Sequence, residues 1–230
     1  MRFFAHPGLT RRQLAVALAC ISDAAQAQSP TEPDEGIDYE TLPVPQPVAH
    51  ANRIEVLEFF RYGCPFCNRM EEHLHSWLPR LPADVVFRKV PVSFHSTTHQ
   101  QLHLTLEALG EAERLGPRMF ETIHRHGHPM EMLMEISAWA EQHGLAATRF
   151  EAAWHSSAVQ LAMARCNAQV KAWGVSSVPQ FGVQGRCITS PTRVGGSYAR
   201  ALEVVDWLVA KERQRNVLAS SLCVTQTSRS

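Results

Sequence analysis

The segment Cys64-Pro65-Phe66-Cys67 holds the clearest chemical potential in this chain. Two thiols three residues apart come within disulfide reach when the second lies one helical turn on from the first. The same spacing supplies half of a tetrahedral zinc site, but a structural zinc needs four ligands, usually from two such pairs at short range. Cys166, Cys187 and Cys223 stand singly, so the pair reads as redox-active and no metal or other cofactor is expected. Pro65 suits the first turn of a helix, where its missing N–H would be unbonded anyway. Free amides and the helix dipole at that position favour negative charge on the Cys64 sulfur, lowering its pKa. Cys64 is therefore the expected nucleophile and Cys67, deeper in the helix, the resolving thiol.

The elements that must position this pair are legible around it. Ile54 to Phe60 is an apolar run that reads as a central strand buried on both faces. A glycine turn follows, then helical spacing from Cys64 to Leu78, stopped by Pro79 and Pro82, then a second strand from Val85 to Val92. This βαβ unit places the cysteines where a strand hands over to a helix. Upstream, Ile37 to Val44 is a possible edge strand among prolines. Residues 95–155 carry helical patterns and no convincing strand, and helix resumes from Ser156 to Trp173. After Pro179 a hairpin, Gln180 to Ile188 turning at Gln184-Gly185, leads to a last helix from Tyr198 to Arg213. The expected fold class is α/β: a central mixed sheet flanked by helices, assembled from residues 28–94 and 156–215, with an all-helical insertion at 95–155. Residues 216–230 read as a disordered polar tail.

With 230 residues and 45% hydrophobic content the chain can bury a sizeable core, and its formal net charge of zero argues against nucleic acid as a partner. Residues 1–27 read as an export signal: Arg2, Arg11 and Arg12, an apolar run from Leu14 to Ile21, then Ala25-Gln26-Ala27 as a cleavage site. Thr10-Arg11-Arg12-Gln13-Leu14 also resembles a twin-arginine signal, and Cys20 sits in a poor lipoprotein box. Each reading leads across the inner membrane, to a compartment where disulfides persist. Of the twelve histidines, His95, His99 and His103 and the trio His124, His126 and His128 read as solvated surface, and Met119, Met130, Met132 and Met134 as helical core.

Val56-Leu57-Glu58-Phe59-Phe60 followed by C-P-x-C, Glu71-Glu72, and Val178-Pro179 before a strand-glycine-strand hairpin resembles the DsbA family across roughly residues 37 to 213. The resemblance implies a thioredoxin fold with an inserted helical domain in a periplasmic oxidoreductase. Its partners would be exported proteins with free thiols, and a quinone-linked membrane oxidase of the DsbB type would reoxidise it. A reductase or isomerase of the same fold, or an inert thioredoxin-like binding protein, are the alternatives. The resemblance also implies a cis bond at Val178-Pro179, turning the Val178 backbone toward the cysteines to bind extended substrate. It makes Glu58 a buried acid paired with Lys89, able to exchange a proton with Cys67. In this fold the helix bearing Cys166 and the hairpin bearing Cys187 should pack together, which suggests a second, structural disulfide between them. Family members often carry His where this chain has Phe66, which supplies neither charge nor a donor.

Overall fold

The computed structural model describes residues 32–50 and 52–227; the expected export signal and Cys20 lie outside them. Five strands form one sheet: β1 (Tyr39–Thr41), β2 (Ile54–Phe60), β3 (Val85–Pro91), β4 (Gln180–Val183) and β5 (Cys187–Thr189). Their order is β1-β5-β4-β2-β3, with β2 and β3 parallel and the other pairs antiparallel. β2 lies between β3 and β4, and all seven of its residues are buried, Glu55 and Glu58 included, as a central strand requires. β1 pairs with β5 alone, so only three residues of the proline-rich upstream segment join the sheet.

Side chains alternate across β2 and divide the core. Val56 packs with Phe181, Val183 and Cys187 beneath α1 (Pro65–Trp77) and α7 (Tyr198–Thr227). Leu57 and Phe59 face the other way, with Val90, Ile188 and Trp173, against α6 (Ser157–Ala172). Truncating Leu57 to Ala would cost about 2–5 kcal/mol through lost burial and the cavity left behind. A third cluster runs from Phe60 and the two cysteines into α2 (Thr98–Ala108), α3 (Ala112–His124), α4 (Leu133–Gln142) and α5 (Ala147–Trp154), through Leu102, Leu106, Met119, Phe120, Ile136 and Phe150. The Cys64-Pro65-Phe66-Cys67 segment thus lies at the seam between the sheet and the helical insertion.

The hairpin turns at Gln184 and Gly185, both with positive φ (48° and 67°), as the central residues of a primed turn closed by Arg186 N–H on the Val183 carbonyl (2.9 Å) require. A Cβ at Gly185 would meet the Gln46 carbonyl oxygen at 2.1 Å, so glycine is needed there on space as well as backbone. This mixed sheet with helices on both faces and a helical insertion is the thioredoxin fold with an inserted domain.

Two expectations are corrected. α7 continues to Thr227, well past Arg213, so the supposed disordered tail is helical over most of its length. No glycine or proline occurs after Ser197 to stop the helix, and the Arg213 guanidinium braces it with a two-pronged bond to Asp84 (2.7 and 2.9 Å). Met119 and Met130 are buried, but Met132 and Met134 are exposed. α4 buries Ile136, Trp139 and Ala140, a stripe at helical spacing whose opposite side carries Met134.

Candidate active site

Cys64 occupies the cap position of α1 with extended backbone (φ −91°, ψ 117°), and Pro65 is the first helical residue. Both active-site cysteines are free thiols, so the geometry is that of the dithiol form. Cys64 keeps 6% of its surface exposed, whereas Cys67 has none. The hydrogen bond from the Cys67 thiol lowers the Cys64 thiol from 9.0 to about 6 against the cost of burial, helped by the amides of Cys67 and Phe66 and by the Arg61 charge. Burial, then the neighbouring Cys64 sulfur, pushes the Cys67 thiol far up. At neutral pH the pair is therefore one thiolate and one thiol, with the thiolate on the less buried of the two sulfurs.

The Val178-Pro179 peptide is cis, and the Val178 carbonyl oxygen lies 3.5 Å from the Cys64 sulfur. Phe66 is 54% exposed, with the Arg69 guanidinium 4.8 Å from its ring centre. A main-chain carbonyl therefore lies beside the Cys64 sulfur and an exposed apolar ring two residues along the chain, a setting suited to extended peptide.

On the α1 side of β2, Glu58 is fully buried, paired in register with Lys89 on β3 and 3.4 Å from its ammonium group. Lys89 is also bonded to Glu71 of α1, and lies 5.0 and 5.4 Å from the ring centres of Phe60 and Phe120. Burial raises the Glu58 carboxyl from 4.5 to about 8, with the Glu71 charge adding to the effect and Lys89 opposing it. Burial works against the charge on Lys89, but Glu58 and Glu71 outweigh it and its pKa is raised. Neither Glu58 oxygen has a hydrogen-bond partner within normal reach. A protonated acid held this way has a proton to give, and in its ionised form its charge raises the Cys67 thiol further. Glu71, quoted from the sequence only as part of a motif, is the third member of this group.

The histidines expected on the surface divide differently. His99 and His103, one turn apart on α2, are both buried, and they grip the Arg61-Tyr62-Gly63 loop that leads into Cys64. Gly63 N–H donates to His99 Nδ1 (3.1 Å), the Tyr62 hydroxyl lies 2.9 Å from His103 Nδ1, and His124 Nε2 donates to the Tyr62 carbonyl (2.7 Å). His95, before α2, and His126 and His128, after α3, are exposed.

The suggested Cys166–Cys187 disulfide is not formed. Cys166 packs with Val170 and Trp173 on the α6 face of the sheet, while Cys187 points to the α1 and α7 face, 4.0 Å from the Thr41 hydroxyl. Ile188, the next residue, is the one that faces α6. Strand alternation therefore turns the Cys187 sulfur away from Cys166 although the two elements do pack together. Among the described residues no group of His, Cys, Asp or Glu is arranged to hold a metal.

The family description "DSBA-like thioredoxin domain" matches residues 84–198. The chain is 35% identical over 207 residues to the thiol:disulfide interchange protein DsbA of Bordetella parapertussis, covering 89% of this chain and 97% of that one. It is 34% identical over 199 residues to the protein of the same name from Azotobacter vinelandii, covering 86% and 92%. Among solved structures, it resembles Pseudomonas aeruginosa DsbA with a TM-score of 0.76 at 31% identity, over 80% of this chain and 96% of that one. Oxidoreductase DsbA from Xylella fastidiosa gives 0.74 at 29% identity, over 80% and 99%.

Proposed function

The chain belongs to the DsbA family of thiol:disulfide interchange proteins, and from that membership we propose that it hands the Cys64–Cys67 disulfide to exported proteins as they fold. The observation that carries the direction of transfer is the opposed ionisation of the two thiols, Cys64 at about 6 and Cys67 far above its ordinary value. A stabilised Cys64 thiolate favours the dithiol form and makes Cys64 a good leaving group.

The reaction begins when a substrate thiolate attacks the Cys64 sulfur of the oxidised enzyme. A bond forms between the substrate and Cys64 sulfurs, the Cys64–Cys67 bond breaks, and Cys67 leaves with the electron pair. Buried Cys67 cannot remain a thiolate; Glu58, protonated at neutral pH, supplies the proton, and the Lys89 ammonium, held by Glu71, pairs with the resulting carboxylate. A second substrate thiolate then attacks the substrate sulfur of the mixed disulfide and expels Cys64 as its thiolate. The substrate has lost two electrons and gained a disulfide, and the enzyme is the dithiol. Val178, through its backbone beside Cys64, would bind the substrate chain by main-chain contacts, with Pro179 fixing its direction and exposed Phe66 offering apolar contact. Such recognition suits many sequences.

Reoxidation requires a partner that takes two electrons, in this reading a quinone-linked membrane oxidase of the DsbB type. The export signal read at residues 1–27 supports a periplasmic location, and no helix among the described residues is long and apolar enough to cross a membrane. Trapping tests the proposal. With every cysteine outside Cys64-Pro65-Phe66-Cys67 replaced by alanine, Cys67→Ala mixed with an activated-disulfide form of a peptide should hold one peptide per chain through Cys64, and Cys64→Ser should hold none. Oxidised wild type should convert a reduced dithiol protein to its disulfide, one per chain. Failure of that transfer, with the dithiol form instead reducing substrate disulfides, would favour the reductase reading.

A further inference from the structure

We infer that His99 is a positioning residue for catalysis, which fixes the loop into Cys64 by accepting the Gly63 N–H at its Nδ1, and whose protonation releases that loop. The inference rests on the assignment of Cys64 as nucleophile, not on the direction of electron flow.

Three observations carry it. The Gly63 N–H to His99 Nδ1 distance is 3.1 Å while Nε2 lies 3.0 Å from the Pro129 carbonyl oxygen. Nδ1 must accept and Nε2 must donate, so the imidazole is neutral and of one tautomer. The ring is 2% exposed, leaving no water to replace it for Gly63. Finally, a Cβ at Gly63 would stand 2.9 Å from His99 Cε1 and 3.2 Å from Nδ1: glycine at 63 is what lets the ring approach the backbone so closely.

His103 and His124 hold the loop through Tyr62, but His99 is the side chain that holds the Gly63 N–H itself. Cys64 N–H closes a turn on the Arg61 carbonyl (3.1 Å), and the Arg61 guanidinium reaches the Gly63 carbonyl (3.3 Å). Gly63 immediately precedes the cap residue, so its peptide plane sets the direction in which the Cys64 sulfur meets the first amides of α1. A loosened loop weakens those amide contacts, and with them the thiolate.

The groups facing His99 are the Glu131 carboxylate 3.6 Å from Nε2, the Arg61 guanidinium and Tyr62 phenol from the loop, Cys64 beyond Gly63, and His103 one turn along α2. Burial, with Arg61, outweighs Glu131, so the His99 pKa lies below 6.5. A proton arriving below that pH must bind Nδ1, the nitrogen already used by Gly63, and turns an acceptor into a second donor. The contact is then lost on the acid side.

Asparagine places its Oδ1 close to the position of Nδ1 and cannot titrate, while leucine offers no acceptor. In the oxidised protein, where Cys64 has no thiol to titrate, the Gly63 amide resonance should shift with a midpoint below pH 6.5 in wild type and stay constant in His99→Asn. In the reduced protein, thiolate absorbance should show the Cys64 pKa raised by about one in His99→Leu, a roughly tenfold loss of thiolate in acid, and restored by His99→Asn. A Gly63 amide that does not move between pH 4.5 and 7.5 in wild type would overturn the inference, as would folded His99→Leu with an unchanged Cys64 pKa. If His99→Leu does not fold, the amide titration of wild type and His99→Asn decides alone. A reductase with the same nucleophile would give the same readouts, so failure of the oxidase proposal leaves this test standing.

Discussion

Replacing Glu58 by glutamine removes a buried acid while keeping its shape, and the consequences for stability and rate have opposite signs. Burial raises the Glu58 carboxyl from 4.5 to about 8. Between those values the native state holds a proton that the unfolded chain releases, so the protein loses stability as pH rises through this window. The favourable contribution is complete below about pH 4.5. By pH 7 the loss is on the order of 3–4 kcal/mol, from roughly 1.4 kcal/mol for each of about 2.5 pH units. Glutamine ionises in neither state. Glu58→Gln should therefore gain on the order of 3–4 kcal/mol over wild type between pH 4.5 and pH 7, since the native acid it replaces is uncharged in that window. The Cys64 charge is the least of the causes acting on Glu58, so the effect persists in the oxidised protein, where urea unfolding across pH 4.5 to 8 measures it. The same variant has no acid beneath Cys67, and its disulfide should be reduced by a dithiol peptide more slowly at every pH from 5 to 8. Parallel stability curves for variant and wild type, or unchanged reduction kinetics across that range, would refute the assignment of Glu58 as a buried, protonated donor.

Alkylation of the unfolded, oxidised protein should modify both Cys166 and Cys187, and peptide mapping that finds them joined would contradict the opposed faces on which they lie. Gly63→Ala should destabilise the protein by about 1–3 kcal/mol in thermal or urea unfolding, since its Cβ would press on Arg61 and His99; an unaffected variant would show that the loop yields freely. Phe66→His places a donor beside the Cys64 sulfur, and a Cys64 pKa lowered by about one would raise the potential at pH 7 by about 30 mV. Equilibration of the variant with glutathione measures it, and no change would mean that the half-exposed side chain at 66 does not reach the sulfur.

Local signals carried much of this structure. Ile54 to Phe60 reads as a central strand because seven residues without an exposed polar face have nowhere else to go, and Glu58 within it stood out for the same reason. The hairpin at Gln184-Gly185 and the start of α1 at Pro65 are set by backbone preferences of the residues themselves. What stayed hidden was non-local. His99 and His103 are spaced four apart among Leu102 and Leu106, which marks a buried helix face once α2 is known to begin at Thr98. Their partners, however, lie 36 and 41 residues earlier, in a loop without a periodicity of its own. The Cys166–Cys187 expectation failed because packing of two elements does not fix which side of a strand a sulfur takes, and a one-residue step reverses it. The length of α7 was missed because a polar Ser/Thr sequence carries no apolar stripe, while the absence of glycine and proline lets a helix already begun continue.

The central claim is that a Cys64 thiolate favoured by its position makes the disulfide an oxidant, and the reduction potential of the Cys64–Cys67 pair as a function of pH tests it most directly. With Cys64 at about 6 and an unperturbed thiol at 9.0, the thiolate favours the dithiol form at pH 7 by about 1.4 kcal/mol, or about 30 mV for two electrons. Redox equilibration with glutathione from pH 5 to 8 should give a potential above the roughly −270 mV of thioredoxin. Its slope should fall from about 60 to about 30 mV per pH unit near pH 6, as one of the two protons ceases to accompany the electrons. A potential at the thioredoxin value with no break in slope below pH 8 would contradict the account.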